Sequence, residues 1–98
     1  MKLQNNIYEI TIYNNIKYIL FKGINKDNNE SPNYSSQIDI EKIKKNKYFL
    51  MFDNLNEIYD EIINLISNKN PNLIEDLNKL IFSIPISTTK IKEIVFEI

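Results

Sequence analysis

The chain contains no cysteine, histidine, arginine, tryptophan or alanine, and one glycine among 98 residues. Each absence removes a class of chemistry. Without cysteine there is no disulfide and no thiolate metal site, and the redox compartment is not readable. Without histidine, the commonest base beside a nucleophile is missing, and zinc loses its other usual ligand. A lone glycine, Gly23, excludes the glycine-rich loops that cradle phosphates. No spacing sets two carboxylates across a cleft in the manner of a glycosidase. The expectation is a protein that is not an enzyme and carries neither cofactor nor metal.

Other features are equally sparse. No apolar run reaches the length of a membrane span. The opening MKLQNNIYEITIY lacks the apolar core of a secretory signal. A cytoplasmic protein without a membrane partner is expected. The net charge of −1 creates no global field from which a partner could be argued.

What is present is a strong skew: 20 Ile, 16 Asn and 12 Lys. These residues have A/T-rich codons, whereas Ala, Gly and Pro need G/C-rich ones. The composition points to a very A/T-rich genome, and lysine without arginine follows from the same pressure. So many asparagines argue against a hyperthermophilic source. The length is that of one domain, residues 1–98, able to bury an adequate core.

Along the chain, IYEITIY (7–13) and IKYILFK (16–22) are rich in β-branched and aromatic residues, with Asn14-Asn15 between them. They predict a β-hairpin. Tyr8, Ile10 and Ile12 share one face, Ile7 and Tyr13 the other. GINKDNNESPNYSSQ (23–37) reads as a long mobile loop. Its alternating Asn25, Asp27, Asn29, Ser31 and Asn33 suggest a calcium loop but lack the glycine and the closing glutamate. Residues 36–46 fit a short helix or a strand equally well. The apolar run Tyr48–Phe52 predicts a central strand. Asp53 or Asn54 then caps a helix whose Leu55, Ile58, Tyr59, Ile62, Ile63, Leu65 and Ile66 form one stripe, ending near Ser67. Asn70-Pro71 suggests the start of a second helix, with Leu73, Ile74, Leu77, Leu80 and Ile81 inward. Residues 90–98 form a last strand, with Ile94, Phe96 and Ile98 on its apolar side. The expected class is α+β: a mainly antiparallel sheet of about four strands under an αα-hairpin, in the order β-β-(α/β)-β-α-α-β.

Three groups of residues are candidates for binding. Glu57, Asp60 and Glu61, with Asp53 before them, make a negative helix face with no intrahelical lysine to offset it. Tyr13 and Tyr18 belong to an aromatic-rich hairpin, and aromatic residues anchor interfaces. Lys42, Lys44, Lys45 and Lys47 could neutralise phosphates, but without arginine or interleaved aromatics they suggest neither base reading nor stacking.

A small chain without catalytic groups acts by binding. The leading expectation is an inhibitor that occludes a partner's functional surface, of the kind encoded by phages or mobile elements: an anti-CRISPR-like, other anti-defence, or toxin-immunity protein. Its partner would be another protein: a nuclease, a toxin or a nucleic-acid-binding effector. The alternative is an accessory domain that self-associates as a homodimer through a strand edge. A nucleic-acid-binding accessory protein is the weaker third reading.

Overall fold

The computed structural model describes residues 2–4, 7–27, 34–69, 71–76, 79–88 and 90–98. The class is α+β, built on two antiparallel sheets. The first has the order β1-β2-β3-β4, from Lys2–Gln4, Tyr8–Asn14, Ile19–Asn25 and Tyr34–Ile38. Two helices follow: α1 (Ile40–Ile43) and, after a 3-10 turn at Lys47–Phe49, α2 (Leu55–Asn68). The second sheet has the order β5-β6-β7, from Asn72–Asp76, Lys79–Pro85 and Glu93–Glu97.

Period-two alternation explains both sheets. Ile10 and Ile12 on β2 and Ile19, Phe21 and Gly23 on β3 point inward. Leu80, Phe82 and Ile84 on β6 and Ile94 and Phe96 on β7 do the same. The inward faces share one core with Ile58 and Ile62 of α2. Phe96 is its hub: its ring stacks on Phe21 at 4.9 Å and on Phe82 at 5.9 Å, with Phe49 at 6.3 Å. Gly23 permits the close approach of β6, because a Cβ there would lie 2.6 Å from Leu80 Cδ2. Burying such side chains contributes roughly 1.5–3 kcal/mol each.

A polar cluster also joins the sheets. Glu75, on the edge strand β5, accepts from the Tyr34 hydroxyl at 2.6 Å and from Asn25 Nδ2 at 3.1 Å. The Tyr8 hydroxyl bonds the same carboxylate. The hydrogen bonds from Tyr34 and Tyr8 hold the Glu75 carboxyl below the usual glutamate range, against the opposing effect of burial. The bond to Glu75 pushes the Tyr8 phenol up to about 12.

Several expectations need correction. Among the described residues there is no αα-hairpin. Its second helix is the β5–β6 hairpin, paired from Asn72↔Ser83 to Asp76↔Lys79. Leu73, Ile74, Leu80 and Ile81 do fall at helical spacing. The alternation Leu80, Phe82, Ile84, Ile86 runs further, however, and all four are buried. Leu77 and the cap residue Asn70 lie outside the described residues. Tyr48–Phe52 is not a strand. The Asn46 side chain accepts from Tyr48 N, and Leu50 N and Phe52 N bond back to Lys47 and Phe49. This short connection between two capped helices buries Phe49 alone. The ambiguous segment 36–46 is both things in turn: the end of β4, then α1 capped by Asp39.

The expected loop 23–37 is largely strand at its ends, since Gly23 and Tyr34 pair across β3 and β4. Residues 28–33 lie outside the described part. The β2–β3 hairpin pairs through Asn14↔Ile19, so the turn is Asn15–Tyr18 rather than Asn14-Asn15. Asn15 Oδ1 holds that turn by accepting from Lys17 N and Tyr18 N. The last strand begins at Glu93 rather than Lys90, with its inward residues as expected.

Candidate functional site

Helix α2 positions the acidic residues. Asn54 caps it, its Oδ1 accepting from Glu57 N at 3.0 Å. Glu57 Oε2 accepts in return from Asp53 N at 2.9 Å. This pair of bonds satisfies one first-turn amide of the helix and the amide just before the cap, and it fixes the Glu57 side chain. The buried stripe Leu55, Ile58, Ile62, Leu65 and Ile66 seats the helix on the core. The spacing of Glu57, Asp60 and Glu61 then turns them away from it, with Glu57 and Asp60 exposed and Glu61 partly buried. Asp53 is exposed just before the cap. Among the described residues the ion pairs are Lys2–Glu9 and Lys79–Glu97, so none of these four acids is neutralised by a described cation.

Glu61 marks the junction with a second feature. It accepts from the Tyr48 hydroxyl at 3.3 Å and from Asn64 Nδ2 at 3.3 Å. Burial pushes the Tyr48 phenol above its ordinary value, and the Glu61 charge adds to the effect. A shallow concavity of about 400 Å³ lies over the acids, with Phe52 and Asn64 in its lining. A groove of about 450 Å³ is lined by the same Phe52 and Glu61, with Tyr48, Met51, Ile91 and two lysines, Lys47 and Lys90. The 3-10 turn presents Leu50 (59 % exposed) and Met51 (82 % exposed) to solvent. Acidic, aromatic and basic groups therefore follow one another across one continuous surface.

The remaining candidates are dispersed. Tyr13 is exposed on the outer face of the first sheet, opposite Leu20. Tyr18 is partly buried in the hairpin turn. That hairpin is tied to α2 by Asn14 Nδ2, which donates to Asn56 Oδ1 at 2.6 Å. Asn56 is roughly 140° around the helix from Glu61, so the hairpin flanks the acidic face on the side away from Tyr48. The lysines do not form one patch. Lys42 and Lys45 line a separate groove against β7, Lys44 closes α1, and Lys47 belongs to the groove beside Glu61.

Leu50 and Met51 were missed as surface residues. In sequence they are the middle of an apolar run, and nothing in it distinguishes a buried strand from a turn with an exposed tip. Ile16, 97 % exposed at the hairpin turn, was hidden in the same way. No group of three or more Asp and Glu among the described residues is placed to hold a metal ion. No helix of the described residues is long and apolar enough to cross a membrane. No family model, curated protein or solved structure matches the chain.

Proposed function

We propose that the chain is a non-catalytic, protein-binding inhibitor that occludes a partner's functional surface, in the manner of an anti-defence, anti-CRISPR-like or toxin-immunity protein of a phage or mobile element. One observation carries the reading. The unneutralised carboxylates Glu57, Asp60 and Glu61 adjoin an aromatic groove and the exposed Leu50-Met51 tip. Interfaces combine apolar anchors with a polar rim, and complementary charge steers encounter. An acidic rim suits a basic surface, such as the nucleic-acid groove of a nuclease or effector. The acids mimic phosphates in charge, and Met51, Phe52 and Tyr48 supply the desolvated centre. Tyr13 and Tyr18 would contribute only if the partner wrapped around α2 to the hairpin side.

The test compares wild type with Glu57→Gln/Asp60→Asn/Glu61→Gln. The amide introduced by Glu57→Gln keeps an acceptor for the Asp53 N–H, so the cap survives. A nuclease or toxin that binds and is inhibited by wild type, but not by this variant, supports the reading. Equal inhibition by both removes the acidic face from the mechanism.

A second reading, a self-associating accessory domain, is favoured by the exposed edge of β7, where Val95 is 44 % exposed. For a nucleic-acid-binding protein, the separation of Lys42 and Lys45 from Lys47 weakens the electrostatic argument.

A further inference from the structure

We propose that two copies of the chain pair through the free edges of β7, antiparallel about a two-fold axis at Val95. The two three-stranded sheets would become one sheet in the order β5-β6-β7-β7-β6-β5. The inference rests on the self-association reading and is compatible with either function.

The phase of the hydrogen bonds comes first. Leu80 and Ile98 exchange both backbone bonds, at 3.1 and 2.8 Å, and Ile86 N bonds Lys92 O at 2.9 Å. In an antiparallel ladder such pairs alternate with pairs whose groups point outward. Ile94 and Phe96 therefore bond β6. Glu93, Val95 and Glu97 aim their N–H and C=O groups away from it, and no described strand pairs with that side. Pairing Val95 with Val95 of the second copy, and each Glu93 with the other copy's Glu97, matches three outward-facing residues with three. A one-step shift of the two-fold to Ile94 matches only two.

Side-chain chemistry supports the same register. The strand EIVFE reads similarly in both directions: acid, apolar, Val95, apolar, acid. Reversal about Val95 sets Ile94 against Phe96, a favourable aromatic–β-branched pair, and covers the half-exposed Val95. It also brings Glu93 near the second copy's Glu97, which is repulsive. Two sets of lysines offset this. Lys79 already binds Glu97 at 2.9 Å. A groove of about 420 Å³ beside Val95 and Glu97 is lined by Ile38 at the end of β4, by Lys42 and Ile43 of α1 and by Lys45 just after it. Neither lysine has a described ion-pair partner. The incoming strand enters this groove with its Glu93 opposite Glu97, beside Lys42 and Lys45. The groove thus supplies the cations that its own edge strand needs. A basic strand from another protein would meet the same lysines unfavourably.

A seam of two five-residue edge strands is short, so the dimer should be weak and concentration-dependent. Sedimentation equilibrium of the full chain over a wide concentration range tests this, beside Val95→Glu and Val95→Pro. Glutamate at position 95 would face its own copy at the axis, on the outer face that already carries Glu93 and Glu97 of both copies. Proline there removes an outward N–H without costing a bond to β6. Circular dichroism melts check that both variants fold. The expected result is a wild-type dimer and a loss of association by about ten-fold or more in Val95→Glu. Lys42→Glu/Lys45→Glu should weaken the dimer, and adding Glu93→Lys should recover it. A wild type that stays monomeric at every concentration overturns both the seam and the self-association reading. A dimer unaffected by both Val95 variants overturns the seam alone.

Discussion

The Tyr34 hydroxyl donates to Glu75 Oε2 across 2.6 Å, joining edge strand β4 of one sheet to edge strand β5 of the other. With Tyr8 and Asn25 donating to the same carboxylate, the three bonds favour the ionised form of Glu75. Its depressed pKa gives a definite sign. The stabilisation is full above the unfolded glutamate value and is lost as pH falls through the lower folded value. Tyr8 acts in the opposite window. Its contribution is full below the ordinary phenol value, about 10, and is lost as pH rises toward about 12. Urea denaturation across pH should therefore show an acid decline that Glu75→Gln flattens. It should also show an alkaline decline that Tyr8→Phe flattens. Unaltered slopes in both variants would mean that the cluster does not hold the sheets.

Gly23 and Leu80 make a second inter-sheet contact. Gly23→Ala places a methyl against the fully buried Leu80 and should cost about 1–3 kcal/mol. Leu80→Val removes the atom it meets. The double variant should then be less destabilised than the sum of the singles, by about 0.5–3 kcal/mol. Strict additivity in chemical denaturation would contradict the close approach.

The turn at 47–52 makes a sharp contrast between neighbours. Phe49→Ala should destabilise by about 3–5 kcal/mol, because its ring packs on Phe96. Met51→Ser should stay within about 0.5 kcal/mol of wild type, because Met51 is almost wholly in solvent. Comparable losses at both positions would favour the buried strand that the sequence suggests.

These contrasts mark where sequence reading succeeds and where it stops. Helix α2 was legible because a long apolar stripe and a cap agree, and Asn54, one of the two expected caps, does accept from Glu57 N. The faces of β2 were legible from strict alternation. The β5–β6 hairpin was not, because Leu73, Ile74, Leu80 and Ile81 satisfy a helical period as well as a strand one over that window. The turn at Tyr48–Phe52 was not legible either, since five apolar residues carry no period. Of the candidate site, the acidic half was visible as spacing on one helix. The Leu50-Met51 tip and the groove toward Lys90 depend on tertiary contacts between distant segments. The division of the lysines between two grooves follows from the bend between α1 and the 3-10 turn, which composition does not encode.

The acidic face makes a separate prediction about stability. Glu57→Gln/Asp60→Asn/Glu61→Gln relieves repulsion between neighbours on one helix face while weakening the favourable charge near the helix N-terminus. The two effects are each a few tenths of a kcal/mol and oppose one another, so the melting temperature should change little. A large loss of stability would mean that these residues serve the fold rather than a partner.

The most direct measurement is affinity capture with tagged wild type and the triple acid variant from the lysate of a host cell, followed by an activity assay on the captured protein. A nuclease or toxin should be retained and inhibited stoichiometrically by wild type, and neither retained nor inhibited by Glu57→Gln/Asp60→Asn/Glu61→Gln. Retention and inhibition that are equal for both forms, or a captured protein whose activity wild type leaves untouched, would contradict an inhibitor acting through this face.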